Sequence, residues 1–224
     1  MKTNTLLTLI LLLVFSGMVQ AQSGKKIKAN TQKWYTFNRE VTYKDDVIYL
    51  NAEENDGMLW LNDYTFSNGI IELDIKGKDE RGRSFVGIAF HGYDNETFDG
   101  VYFRPFNFKS PERNSHSVQY ISMPDNEWSV LRKNFPGKYE NNIDPAPEPD
   151  QWLHAKIIVD YPSVKVYVNG AQKASLEVEQ ISDRKGGMLG LWVGNGSDGW
   201  FKNIVIKKKS GQTLCVKRIL YHPN

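Results

Sequence analysis

Cysteine is almost missing from this chain: Cys215 stands alone among 224 residues. One thiol closes no internal disulfide and builds no cysteine-ligated metal site, so stability has to come from the core. Charge of one sign is missing too. The formal charge is +2, and a near-neutral chain offers no electrostatic ground for binding nucleic acid or an anionic membrane. No two histidines stand at a spacing such as H-x-x-x-H, so a catalytic metal has no motif and no cofactor is implied. Calcium held by loop oxygens stays open, because such ligands leave little pattern outside EF-hands. Long apolar runs are scarce as well. The stretch from Leu6 to Phe15 is too short for the roughly 20 residues that cross a bilayer.

That run follows one lysine and precedes small residues, with Val19 and Ala21 in the small-residue positions. This is the layout of a secretory signal peptide cleaved after Ala21. Residues 1–21 are therefore read as the signal peptide and 22–207 as one domain. Residues 208–224 are read as a basic tail or a final strand around Thr213 to Tyr221. Losing Lys2 lowers the formal charge to +1. The mature protein is expected to be exported, periplasmic or extracellular, without a membrane span. Its oligomeric state leaves no mark on the sequence.

Helical periodicity is nearly absent after the leader. Short runs of period two dominate, broken by Gly, Asn, Asp and Pro: "VIYLNA", "GMLWLN", "NGIIELDIKG", "SFVGIAFHG", "GVYFRPFNF", "HSVQYIS", "WLHAKIIVD", "VKVYVNG", "ASLEVEQI", "GGMLGLWVG" and "WFKNIVIKK". The pattern predicts an all-β sandwich or barrel, and two packed antiparallel sheets would use all of these strands.

The strands are of two kinds. In "IIELDIK" Ile71, Leu73 and Ile75 oppose Glu72, Asp74 and Lys76, and "VKVYVNG" and "ASLEVE" divide the same way. One face is apolar and the other charged, as in an ordinary solvated sheet. Elsewhere the second face mixes small, aromatic and hydrogen-bonding residues. Gly87, Ala89 and His91 share it in one strand, Gly190 and Trp192 in another, and Tyr102, Arg104 and Phe106 in a third. Ser117 and Gln119 continue it. Small residues leave room, rings stack on apolar surfaces, and polar groups fix orientation, which suits a sugar in a concave groove. The plainer reading is that the glycines ease sheet curvature and Arg104 pairs with a carboxylate.

The ordered segments "DGVYFR", "HSVQYI", "VKVYVNG", "GMLGLW" and "WFKNIVI" resemble the 3-keto-disaccharide hydrolase-like family of the concanavalin A-like lectin and glucanase superfamily. The resemblance spans about Trp60 to Lys207. It implies a jelly-roll sandwich with a sugar-binding concave face and activity on plain or 3-keto glycosides. Arg104 and Gln119 match the family's polar strand residues. Ser117 stands where the family usually has glutamate, and Trp192 where it usually has glutamine.

Ordinary glycoside hydrolysis needs two carboxylates flanking the bond. "ELDIKG" supplies Glu72 and Asp74 but has Gly77 where laminarinase-like members of the superfamily carry a second glutamate. A 3-keto sugar asks for less. Its carbonyl acidifies the C2 proton, so one base can expel the aglycone by elimination, with hydration to follow. His91 and Glu140 are the candidate bases, Arg104 the enolate or hydroxyl donor, and Gln119 the orienting group. Tyr102, Phe106, His116, Ser117, Tyr120 and Trp192 are candidate sugar contacts. The long connection "PDNEWSVLRKNFPGKYENNIDPAPEPDQW" adds Trp128, Arg132 and Tyr139 as a groove wall. Its bland alternative is a loop covering a sheet edge. A carbohydrate is thus the expected partner. A non-catalytic carbohydrate-binding module would use the same aromatic groove without a base. A polysaccharide lyase is a further alternative.

Overall fold

The computed structural model describes residues 24–29 and 34–209. The expected leader at 1–21 and the expected strand around Thr213 lie outside the described residues. The first strands are β1 (Lys25–Ile27), β2 (Trp34–Phe37), β3 (Val41–Lys44), β4 (Val47–Leu50) and β5 (Gly57–Leu61). Next come β6 (Gly69–Lys76), β7 (Val86–Gly92), β8 (Asp99–Phe103) and β9 (Val118–Ser122). The helix α1 (Trp128–Asn134) precedes β10 (Glu140–Asn141), β11 (Leu153–Asp160) and β12 (Ser163–Val168). The series closes with β13 (Leu176–Glu179), β14 (Met188–Val193) and β15 (Gly199–Lys208).

Two antiparallel sheets result. The first runs β13-β12-β11-β6-β15-β4-β3, with β1 also paired to β15. The second runs β10-β9-β8-β7-β14-β5-β2. This is the sandwich that the period-two runs predict, and each of those runs contains a strand. The inner faces meet closely: Ile71, Leu73, Ile204 and Ile206 of the first sheet face Ile88 and Leu191 of the second around a residual cavity of about 10 Å³. That is at the limit for one water, so the core is filled.

The two kinds of strand are real and belong to different sheets. In β6, β11 and β12 buried and partly exposed residues alternate. Outward Glu72 pairs with Lys207, and Asp74 with His154. In β7, β8 and β9 every residue is buried on both faces. Something therefore covers the outer face of the second sheet.

Three local departures shape what lies there. Arg104 is not mid-strand. β8 ends at Phe103, and Pro105, which has no N–H for the ladder, opens a 3-10 turn over Pro105–Asn107. His116 and Ser117 likewise precede β9, with His116 closing a second 3-10 turn. Third, the β7–β14 register slips between Met188 and Gly190, so Phe90 and His91 together oppose Leu189. His91 takes φ +50° at this bulge, and the alternation that would place it beside Gly87 and Ala89 is broken.

At the end of the sandwich near this bulge, Asp99 is wholly buried. It accepts hydrogen bonds from Tyr120 Oη at 2.5 Å, Ser182 Oγ at 2.7 Å and Arg184 Nε at 3.0 Å. The Arg184 segment is thereby tied across β8 and β9. Replacing Asp99 with Ala would strand these donors, and breaking such a buried charge pair costs about 3–5 kcal/mol. Urea unfolding of Asp99→Ala should show a loss of that order. A loss under about 0.5 kcal/mol, as at a surface position, would mean that the network holds nothing.

Candidate active site

One row of the second sheet's register carries most of the chemistry. Trp192 on β14 lies opposite Gly87 on β7, Gly87 opposite Tyr102 on β8, Tyr102 opposite Gln119 on β9, and Gln119 opposite Glu140 on β10. The next row, Val193, Val86, Phe103 and Val118, is wholly buried and packs inward. Tyr102, Gln119 and Glu140 therefore stand on the outer face. The sequence alternation predicts this sharing for Tyr102, Gln119 and Trp192.

Arg104 binds the row together from the end of β8. Its Nη2 donates to Tyr102 Oη at 2.5 Å, and both terminal nitrogens reach Gln119 Oε1 at 3.3 Å. Nη1 also donates to the backbone oxygen of His116 at 3.1 Å and lies 3.7 Å from Glu140 Oε2. Burial pulls the guanidinium's pKa down from its ordinary value, against the opposing pull of Tyr102 and Glu140. Burial also raises that of Tyr102, so the hydroxyl stays protonated and can donate. Gln119 spends its amide protons on the carbonyls of Tyr120 and Tyr139. It fixes Arg104 rather than reaching outward.

Glu140 is the hub of charge. Arg132 of α1 grips it in a fork, Nε to Oε1 at 2.8 Å and Nη2 to Oε2 at 2.6 Å. Nδ1 of His116 is 2.9 Å from Oε2, close enough for charge coupling although not aligned as a hydrogen bond. Burial pushes the Glu140 pKa up. The hydrogen bonds and charge of Arg132, with the charges of His116 and Arg104, outweigh this and hold it below its ordinary value. The carboxylate is thus an anchor more than a base.

Small residues do not leave an open trough. A Cβ on Gly190 would sit 2.7 Å from the Trp60 ring, and one on Gly194 would sit 3.0 Å from the Trp192 ring. Rings of this chain fill the room that the sequence reading assigns to a ligand. Tyr102 and Trp192 are tilted against each other at 4.9 Å, and Phe85 meets Phe106 edge-on at 5.6 Å. The accessible part is the rim. There Trp128 is 43% exposed, and the side chains of Arg132 and His116 are 34% and 30% exposed. The Trp128 ring lies over Arg132 at 4.8 Å and over Arg104 at 5.7 Å.

Several expected members lie elsewhere. His91 is fully buried between Phe66 and Phe90, with Nε2 2.6 Å from the Ser67 carbonyl. Burial lowers its pKa, which that carbonyl and Asp99 only partly offset. The bulge turns it away, so it cannot serve as a base at this site. Tyr120 faces the interior and spends its hydroxyl on Asp99. Tyr139, one residue from Glu140 and so on the opposite face, packs on Tyr120 and Phe135. Ser117 is wholly buried, its Oγ without a partner among the described residues. The sequence reading passes over Asp56, which accepts a hydrogen bond from Trp192 Nε1 at 3.1 Å. Burial raises its pKa, against the pull of Trp192 and Arg39. It sits in the acidic run "EEND", which reads as surface loop.

Residues 22–207 match the family described as "3-keto-alpha-glucoside-1,2-lyase-like domain". No curated protein matches the sequence. Among solved structures, the carbohydrate binding module CBM66 from Bacillus subtilis is similar at TM-score 0.60 and 15% identity, over 80% of this chain and 98% of that one. The Bacillus licheniformis beta-glucanase is similar at TM-score 0.55 and 14% identity, over 85% of this chain and 100% of that one. A Bacillus subtilis protein of unknown function with a galectin-like fold gives TM-score 0.55 and 14% identity, over 79% and 89%. At such identities the likeness is one of fold.

The Glu140 arrangement has a pH signature. A carboxylate whose folded pKa is depressed contributes stability above its unfolded pKa and loses it as pH falls through the folded one. The stability gap between wild type and Glu140→Gln should be full above the ordinary glutamate value of 4.5 and shrink as pH falls below it. Thermal unfolding across that range measures it. A gap that widens on acidification would contradict the charge assignment.

Proposed function

The chain belongs to the 3-keto-alpha-glucoside-1,2-lyase-like family, and from that premise we propose that it is an exported enzyme that cleaves 3-keto glycosides at the rim around His116. The supporting observation is a buried carboxylate behind a part-exposed imidazole, Glu140 Oε2 lying 2.9 Å from His116 Nδ1. Nδ1 is buried against the carboxylate, which leaves Nε2 as the nitrogen that can meet a substrate. No second flanking carboxylate is required, because the 3-keto group already acidifies C2.

The reaction proceeds as a balanced elimination. Nε2 of His116 takes the C2 proton, and the electrons of the C–H bond form an enolate with its charge on the C3 oxygen. Arg132, part-exposed at the rim with Nε and Nη2 on Glu140, donates to that oxygen from its remaining Nη1. Collapse of the enolate breaks the C1–O bond and forms a C1–C2 double bond. The departing alkoxide takes the proton back from the imidazolium, and water can then add across the double bond. Arg104 acts as a positioning residue, since it holds the His116 backbone and lies beside Glu140. Trp128 offers an indole face for a sugar ring.

The second reading is a binding module, favoured by the exposure of Trp128 over two arginines. NMR of the domain with a panel of plain and 3-keto glycosides separates the two. The expected outcome is product from the 3-keto sugars alone. His116→Ala should lower turnover ~10²–10⁴-fold, the range for a positioned base, while line broadening of the bound sugar persists. Trp128→Ala should weaken binding. Broadening without product from any sugar would make the domain a binding module and end the catalytic reading.

A further inference from the structure

The outer face of the first sheet carries a second aromatic cleft, on a different sheet from the Arg104 cluster. Tyr49 on β4, Trp200 on β15 and Lys76 on β6 share one register row. Trp152, just before β11, flanks the same lysine. The Lys76 ammonium is 4.6 Å from the Trp200 ring and 5.7 Å from the Trp152 ring. Lys202 lies over Trp152 at 4.1 Å, and Lys78 over Trp200 at 5.5 Å. Tyr49, Trp152 and Trp200 line a cleft of about 530 Å³ whose other wall is the β3–β4 hairpin, with Lys44 and Asp45, and Lys76 and Lys202 stand at its rings.

Neighbouring strands of this sheet present charged residues paired with one another, as Lys207 is with Glu72. Here aromatic rings stay partly exposed on a strand face, although packing their faces inward would be more favourable. Lysines outnumber acids around them, Lys44, Lys76, Lys78 and Lys202 against Asp45 and Asp198. Asp198 pairs with Lys78 at 2.6 Å and takes the Tyr49 hydroxyl at 3.0 Å. Among the described residues neither Lys76 nor Lys202, which stand over the rings, has a carboxylate within ion-pair distance, although Lys202 lies opposite Asp74 in the β6–β15 register. Rings in one line with cations between them match a sugar chain that alternates apolar C–H faces with anionic groups.

We propose that this cleft binds a polyanionic glycan, its charges carboxylate or sulfate, as a second site separate from the His116 rim. The sugar faces lie on Trp200 and Trp152, and the anionic groups meet Lys76 and Lys202. The inference does not rest on the catalytic reading.

Calorimetric titration of the mature protein tests it with three probes: an oligogalacturonate, its methyl ester, and a sulfated galactan oligosaccharide. At least one charged probe should bind about tenfold tighter than the ester, equivalent to about 1.4 kcal/mol. That binding should weaken as salt rises. Which charged probe binds identifies the anion. Trp200→Ala and Lys76→Gln should each weaken it, the second without removing any packed ring. His116→Ala should leave it unchanged, which separates this site from the proposed catalytic one. Equal binding of the methyl ester, no binding of either charged probe, or loss in His116→Ala with retention in Lys76→Gln would overturn the proposal.

Discussion

The site depends on one buried guanidinium. Arg104 leaves the ladder where Pro105 ends β8, yet its side chain returns over the strands to Tyr102 and Gln119. A buried cation must find acceptors, because its desolvation is expensive unless hydrogen bonds replace the lost water. Arg104 finds them in three places at once: a phenol, an amide and the His116 backbone. Each acceptor belongs to a different part of the second sheet's outer face. Satisfying one arginine therefore fixes the end of β8, the start of β9 and the turn that carries His116. Glu140 enters through the same requirement, since its charge lies 3.7 Å away and is shared with Arg132. The fork from Arg132 in turn anchors α1, and with it Trp128, above the sheet.

The same sandwich solves two different surface problems. The first sheet turns charged residues to solvent and needs no cover. The second sheet buries both faces, and its outer cover is made of its own rings and the α1 segment. A covered polar cluster of this kind is costly unless each group is paired. Most are, and among the described residues of the cluster Ser117 Oγ and His116 Nδ1 are the exceptions. The accessible chemistry is consequently confined to the rim, where the imidazole and Arg132 stand before a carboxylate they both share.

Much of this fold is legible in the sequence because the side-chain period of a strand is visible in short runs. Ile71, Leu73 and Ile75 announce a buried face, and the mixed face of Tyr102, Gln119 and Trp192 announces a different one. Register could not be read, so the alignment of these residues into one row with Glu140 was hidden. β1, β2, β3 and β10 are too short to show a period, and α1 is a seven-residue helix whose only buried residue is Leu131. Strict alternation misplaced His91, because a one-residue bulge reverses its direction. Tyr120, and Tyr139 of the long connection, are also grouped with the site, although their neighbours Gln119 and Glu140 take the outer face and send them inward. His116 was visible as a strand-end histidine, but its carboxylate lies 24 residues on in sequence, and only the β9–β10 pairing brings them together. Glycines read as free space are occupied by Trp60 and Trp192.

The central claim is that cleavage begins with loss of the C2 proton to His116. Its most direct test is the fate of that hydrogen when a 3-keto glycoside is turned over in D2O. Elimination predicts that the released sugar has lost its original C2 hydrogen, either as the unsaturated ketone or with deuterium at C2 after hydration. This must occur faster than the sugar exchanges in buffer alone. Released sugar that keeps its C2 hydrogen would contradict the account, because the bond would then have been broken without a base at C2.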